Sequence, residues 1–208
     1  MNSISELQGS SVRDEVEKRL KEFESFRNRP NEEWFSELCF CILTANSKAV
    51  TALNIQKELG CRGFASLDKD ALADSIRQNK HRFHNNKAGY ICSAREHLKI
   101  KDKITSIIGS SGEKAGREWL ADNIKGLGYK EASHFLRNVG YKNLAILDRH
   151  IINLMLEWDM LSERPKSLTR KNYLLIESKF EEKASELDMS IAELDLYMWY
   201  IKVGKVLK

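Results

Sequence analysis

The chain has 208 residues, 42% of them hydrophobic and 31% charged, with 34 Lys and Arg against 30 Asp and Glu for a net charge of +4. Such a composition belongs to an ordinary globular protein, with one sizeable core or two small lobes sharing one. It excludes a membrane-spanning chain, since no apolar run approaches the roughly 20 residues a span needs, and the mild positive excess fits a polyanionic partner but falls short of a basic arm.

The polar start MNSISELQGSSVRDE lacks the basic and apolar regions of a secretory signal, so a cytoplasmic location is expected. The four cysteines, Cys39, Cys41, Cys61 and Cys92, contain no C-x-x-C pair. They read as small buried apolar residues in a reducing compartment, and neither a metal site nor a disulfide frame is expected.

No segment sustains apolar-polar alternation at period two, so the chain reads as all-α. After Pro30, Asn31 is placed to cap EEWFSELCFCILTA, where Trp34, Leu38, Cys41 and Ala45 form one stripe and Phe35 and Ile42 another. Phe40 and Leu43 make this helix apolar almost all round, and it is expected to be central. Ser47 is expected to cap a helix that stops at Gly60, and Asp68 a short one ending near Arg77. NNKAGYICSAREHL gives another, with Ala88, Ile91, Cys92 and Leu98 on or near one face. GSSGEK reads as a loop, followed by a helix through Ala115, Trp119 and Leu120. Asp148 is expected to cap RHIINLMLEWDML, Pro165 to mark a break, and Ser167 or Thr169 to start the next helix. Ser190 to Glu193 is a capping-box pattern for the last helix, with Gly204 its stop. That helix carries two apolar stripes, Leu194, Tyr197, Met198 and Ile201 on one and Leu196, Trp199, Tyr200 and Val203 on the other. It needs a second partner, protein or ligand, on its other side. Two interleaved helical lobes are the expected architecture.

IKGLGYKEASHFLRNVG, Ile124 to Gly140, is a helix-hairpin-helix pattern: Gly126 and Gly128 permit a tight turn with positive φ, and Leu127 can plug it. Bare glycines let a phosphate approach the backbone, and the next helix offers unpaired N–H groups and its positive dipole end. The pattern thus suits a sequence-independent clamp on a nucleic-acid backbone, to which Lys125 adds a charge. A plain connection between two helices is the alternative. Lys130 falls in the first turn of the second helix, where the macrodipole opposes a cation by roughly 0.3 to 1 kcal/mol. The placement suits an amine meant to react, because attack on a sugar carbon requires the neutral form; a solvated surface lysine is the other reading. Asp148, in LAILDRHI, is a helix N-cap worth about 1 kcal/mol, and a carboxylate fixed by N–H groups can also stabilise a developing positive charge.

IKGLGYKEASHFLRNVG together with LAILDRHI resembles the helix-hairpin-helix Gly/Pro-Asp superfamily of DNA glycosylases. The size of the chain and its lack of a C-terminal four-cysteine cluster look most like the type-2 8-oxoguanine DNA glycosylase/lyase family. The resemblance implies two helical subdomains, a helix-hairpin-helix at about 116–139, and an active site in the cleft between the subdomains. It implies that Lys130 is the nucleophile, that Asp148 stabilises charge and assists proton movement, and that Gly126, Gly128 and Lys125 hold the DNA backbone. It further implies that Trp199 and Lys208 recognise the flipped base, with Phe83 chosen as the second stacking aromatic and His84 as the alternative. Asn46, ending an apolar helix, aligns with a gap-filling position, although a helix C-cap explains it as well. The superfamily's proline before the aspartate is replaced here, in Ala145-Ile146-Leu147.

The expected activity is excision of 8-oxoguanine from double-stranded DNA, with lyase action at abasic sites, by a monomer that needs no metal or organic cofactor. Two rivals stand beside it. A glycosylase for another oxidised base, such as a pyrimidine, would usually carry an iron-sulfur cluster with C-terminal cysteines, and none lies beyond Cys92. A non-catalytic helix-hairpin-helix DNA-binding module would need the glycines but not Lys130 and Asp148.

Overall fold

The computed structural model of the chain describes residues 4–206 and 208, and those residues are helical and irregular, with no strand. The helices are α1 (Ile4–Gln8), α2 (Val12–Phe26), α3 (Asn31–Thr44), α4 (Ala49–Ser66), α5 (Lys69–Gln78), α6 (His84–Ala94), α7 (Ile100–Asn123), α8 (Tyr129–Asn138), α9 (Arg149–Glu157), α10 (Arg170–Glu186) and α11 (Ile191–Val203). They form two compact units. One comprises the chain up to Arg27 together with Leu136–Lys208, and the other is Asn28–Phe135.

In the Asn28–Phe135 unit, α3 is buried from Trp34 to Ala45, including Ser36 and Glu37, as its all-round apolar pattern requires. It packs mainly on α4, with α6 and α7 also against it. A buried helix cannot leave its last carbonyls to water, and here side chains take three in succession. Thr44 Oγ1 donates to the Cys41 carbonyl at 2.8 Å, Lys87 Nζ to that of Ile42 at 2.6 Å, and His81 Nε2 to that of Leu43 at 3.0 Å. The Phe83 N–H donates to His81 Nδ1, which places the ring proton on Nε2. Burial holds the His81 imidazole below its ordinary pKa.

Several caps differ from the sequence expectations. Asn31 does not cap α3: Pro30 stands at the N-cap, and Asn31 Oδ1 accepts the Lys101 N–H at 3.0 Å, so a tertiary partner in the first turn of α7 takes the side chain. Lys48, not Ser47, precedes α4, and no side chain caps it. Gly60 (φ 58°) does break the helix where expected, and a second helical segment follows it to Ser66. The break expected in GSSGEK is present but confined to Gly112 (φ 84°), which separates the two helical segments of α7. Leu98 lies past α6 and is exposed. Asp68 behaves as expected, accepting from the Asp70 and Ala71 N–H groups.

In the other unit, α11 packs on α9, α2 and α10. Ser190 Oγ accepts the Glu193 N–H, Gly204 (φ 70°) ends the helix in the left-handed conformation, and Thr169 caps α10. Of the two α11 stripes, Leu194, Tyr197, Met198 and Leu196 are buried, Ile201, Trp199 and Tyr200 half-buried, and Val203 exposed.

A buried ion pair fastens α11: Arg137 Nη1 meets Asp195 Oδ2 at 2.5 Å, while Asn138 Oδ1 accepts from Nε and Nη2 and the Phe23 ring lies beneath the guanidinium. Removing one partner of a buried pair strands the other's charge, so Asp195→Ala is expected to cost about 3 kcal/mol or more. Urea unfolding checks this; a loss under about 1 kcal/mol would show the pair to be solvated in solution.

Candidate active site

The hairpin Ile124–Gly128 joins the second half of α7 to α8, which continues through Lys130. The turn closes with the Leu127 N–H donating to the Ile124 carbonyl, and Leu127 is buried beneath it. Only Gly126 has positive φ (91°); Gly128 does not, so the expectation of two left-handed glycines is corrected to one. A Cβ at Gly126 would lie 2.4 Å from the Tyr90 ring, whereas one at Gly128 meets only Glu131 Oε2, at 3.4 Å. The flanking helices are tied by Tyr129 Oη donating to Glu118 and by the Arg117 guanidinium 4.9 Å over the Tyr129 ring.

The two glycines therefore separate in their expected effects. Gly126→Ala should destabilise the protein by about 1 to 3 kcal/mol through backbone strain and the Tyr90 clash. Gly128→Ala should leave the unfolding midpoint nearly unchanged, because its methyl group would meet only Glu131 Oε2 at an ordinary distance. Thermal unfolding of each variant gives the comparison, and equal destabilisation of both would refute the distinction.

Gly128 is the N-cap of α8, its carbonyl accepting the first helical bond from the Ala132 N–H. Glu131, three residues on, completes half of a capping box. Its Oε2 accepts the Gly128 N–H at 3.3 Å and its Oε1 faces Lys130 Nζ at 3.3 Å. The carboxylate offsets the helix dipole, so a cation at this first turn is held in a fixed place, with the Lys130 side chain 26% exposed. Glu131 was legible as the E of G-L-G-Y-K-E.

Beneath the hairpin lies α6. Tyr90 carries Gly126 on its ring, with Lys125 Nζ 5.9 Å and Lys87 Nζ 6.0 Å from the ring centroid. Lys125 itself is exposed. Phe83, just before α6, is 37% exposed, with its ring edge toward His81 and the Arg82 guanidinium over its face. His84 is half-buried with Nδ1 near the His81 carbonyl. Asn46 is exposed just past α3 in the left-handed conformation (φ 60°).

The other unit holds Asp148, Trp199 and Lys208. Asp148 caps α9 with one oxygen only: Oδ1 accepts the His150 and Ile151 N–H groups at 2.8 and 2.9 Å, and Oδ2 carries no hydrogen bond. The cap thus occupies one atom of the carboxylate and leaves the other without a hydrogen bond among the described residues. His150 sets its ring edge-on to Trp199, centroids 5.5 Å apart. Lys208 is half-exposed. The extended stretch before Asp148 is held by Tyr173, whose hydroxyl donates to the Ala145 carbonyl and accepts the Leu147 N–H, and by Glu177, which accepts the Ala145 N–H. These contacts fix the segment without the superfamily's proline.

A family model described as 8-oxoguanine DNA glycosylase matches residues 16–189. The chain belongs to this family. Its similarity to individual members of the family runs from end to end. An 8-oxoguanine DNA glycosylase/AP lyase of Methanocaldococcus jannaschii is 49% identical over 100% of this chain and 99% of its own length, and one of Korarchaeum cryptofilum is 47% identical over 100% and 97%. Among solved structures, the M. jannaschii 8-oxoguanine glycosylase/lyase in complex with 15mer DNA containing 8-oxoguanine superposes with a TM-score of 0.95 at 49% identity, covering 99% of this chain and 97% of that one. The 8-oxoguanine DNA glycosylase of Thermotoga maritima gives 0.90 at 37% identity, covering 98% and 96%.

Proposed function

We propose that the protein is a DNA repair enzyme that excises 8-oxoguanine from duplex DNA and cleaves the resulting abasic strand, with Lys130 as nucleophile. The observation that carries the residue assignment is the half-buried Lys130 amine, held by Glu131 in the first turn after a glycine hairpin. The hairpin glycines, Lys125 and the α8 N-terminus take the DNA backbone, contacts that carry no sequence preference.

In this reading the neutral Lys130 amine attacks C1′ of the damaged nucleotide. The glycosidic bond breaks and the base leaves with the bonding electrons and takes up a proton. The free Oδ2 of Asp148 faces the positive charge that develops on the sugar. Once the amine has lost one proton, its lone pair forms a double bond to C1′ as the C1′–O4′ bond breaks and O4′ takes up a proton, leaving a protonated Schiff base. Loss of a C2′ proton then expels the 3′ phosphate by β-elimination. Trp199 and Phe83 stack the extruded base, Lys208 contributes to its recognition, and Asn46 fills the gap left in the duplex. The chemistry calls for no resident cofactor. No described helix is long and apolar enough to cross a membrane, and we place the enzyme in the cytoplasm, acting as a monomer.

Borohydride reduction during turnover tests the assignment. It should trap a covalent adduct on duplex DNA containing 8-oxoguanine, with the attachment mapped by peptide sequencing to Lys130. An adduct mapped to another lysine would remove Lys130 from the nucleophile's role.

A further inference from the structure

His81 is a buried titratable side chain that this chemistry leaves unused, 2% exposed in the turn between α5 and α6. Both of its ring nitrogens are engaged, each on a different segment. Nε2 donates at 3.0 Å to the Leu43 carbonyl, 38 residues away in sequence, in the last turn of α3 and just before Asn46. Nδ1 accepts the Phe83 N–H at 3.2 Å, and the two rings then meet edge to face with centroids 6.4 Å apart. One imidazole thus joins the helix end that carries Asn46 to the backbone of Phe83. Capping Leu43 alone does not call for histidine, since Lys87 serves the Ile42 carbonyl and Thr44 that of Cys41 with a single donor each. The imidazole adds a rigid ring whose donor and acceptor point apart, so its two bonds fix a relative position as well as satisfying buried groups. Only the neutral ring can make both, because a protonated Nδ1 has no lone pair for the Phe83 N–H. Burial, the largest influence, holds His81 below its ordinary pKa against the pull of the Leu43 bond, and Lys87, His84 and Arg82 also oppose its protonation. Phe83 itself is 37% exposed, with the Arg82 guanidinium 4.7 Å over its ring, so the plane of this ring is set largely through its backbone.

We propose that His81 is a positioning residue for lesion recognition: its ring bridges the Leu43 carbonyl and the Phe83 N–H, so that the stacking aromatic and the gap-filling Asn46 are presented to DNA as one rigid piece. The inference rests on the reading of Phe83 as a stacking aromatic and of 8-oxoguanine as the lesion. It adds a residue that touches neither the base nor the sugar and acts only through the backbone it holds.

The test is the ratio of single-turnover cleavage of 8-oxoguanine duplex to that of an abasic duplex of the same sequence. Both substrates call on the hairpin, Lys130 and Asp148, but only the first carries a base to be stacked, so a general loss of structure cancels in the ratio. Two variants each remove one end of the bridge. His81→Asn can still accept the N–H two residues on, as in an Asx turn, but falls short of Leu43. His81→Gln keeps a donor within reach of the Leu43 carbonyl and gives up the Nδ1 acceptor. In both, the ratio should fall roughly ten- to a hundredfold, the scale on which a small misplacement is felt. A wild-type ratio in either variant would overturn the proposal, however far the separate rates drop, because the bridge needs both ends. A measurement on the wild type holds whether or not the variants fold: long-range proton–nitrogen NMR should show His81 as the neutral Nε2–H tautomer at neutral pH, and an Nδ1–H or doubly protonated ring is equally fatal. Phe83→Ala separates the two levels. A wild-type ratio there removes Phe83 as the stacking aromatic and the proposal with it, whereas a lowered ratio beside an unchanged one in His81→Gln defeats only the role of His81. A wild type that nicks abasic duplex and spares 8-oxoguanine would defeat the substrate assignment itself.

Discussion

Lys130→Gln should bind 8-oxoguanine duplex within a few-fold of the wild type and cleave it at least about 10⁴-fold more slowly, the scale on which enzymes lose turnover with their nucleophile. Binding survives because the groups assigned to the backbone are the hairpin glycines, Lys125 and the α8 N–H groups, none of which depends on the Lys130 amine. Folding should survive as well. The amide of glutamine can still donate toward Glu131 Oε1, and loss of a partly exposed ion pair removes about 1 kcal/mol at most. A mobility-shift titration and a single-turnover nicking assay on the same preparation make the comparison. Cleavage within tenfold of the wild type would defeat the nucleophile assignment, however tight the binding.

At Asp148 the expected result is a separation between two substitutions. Asparagine is as good an N-cap as aspartate, so Asp148→Asn should retain the bonds that Oδ1 makes to His150 and Ile151 and unfold within about 0.5 kcal/mol of the wild type. It cannot supply the charge of the free oxygen, and strand cleavage should fall by about 10² to 10³, as when another preorganised electrostatic group is deleted. Asp148→Ala loses both functions: a similar drop in rate with a further loss of about 1 kcal/mol in stability. Chemical denaturation and single-turnover kinetics on the pair decide the matter. Wild-type turnover in Asp148→Asn would reduce the residue to a cap.

What was legible in the sequence follows a physical boundary. Caps made by one residue on its own helix were readable, as at Asp68, Asp148, Thr169 and Ser190, because the partner N–H lies two or three residues away. Asn31 was not, because its oxygen is claimed by Lys101, 70 residues on. Gly60 and Gly112 do break their helices, and what the sequence does not show is that a helical segment resumes directly beyond each. A left-handed glycine breaks the hydrogen-bond run in the same way whether or not a helix resumes, and only packing determines which occurs. The same limit applies to the site. The hairpin, Lys130 and Asp148 lie in short local patterns, whereas Lys87 and Tyr90 acquire their places from α6 packing under the turn. A lysine in sequence carries no mark that it will be buried. The amphipathic α2, with Val16 and Phe23 buried, was passed over within a strongly charged stretch.

The left-handed backbone at Asn46 imposes a restriction of its own. At a φ of 60° glycine, asparagine and aspartate sit with the least strain, whereas other side chains bring Cβ against the following carbonyl at a cost of roughly 1 to 2 kcal/mol, which the chain bears at Lys80 (φ 61°). The repertoire at this position is therefore narrowed by the end of α3 before any contact with DNA is considered. Glutamine has the right chemistry to replace an unpaired base but the wrong stereochemistry for the turn. A library randomised at position 46 and selected only for folding should therefore be enriched in those three residues before any selection for repair is applied.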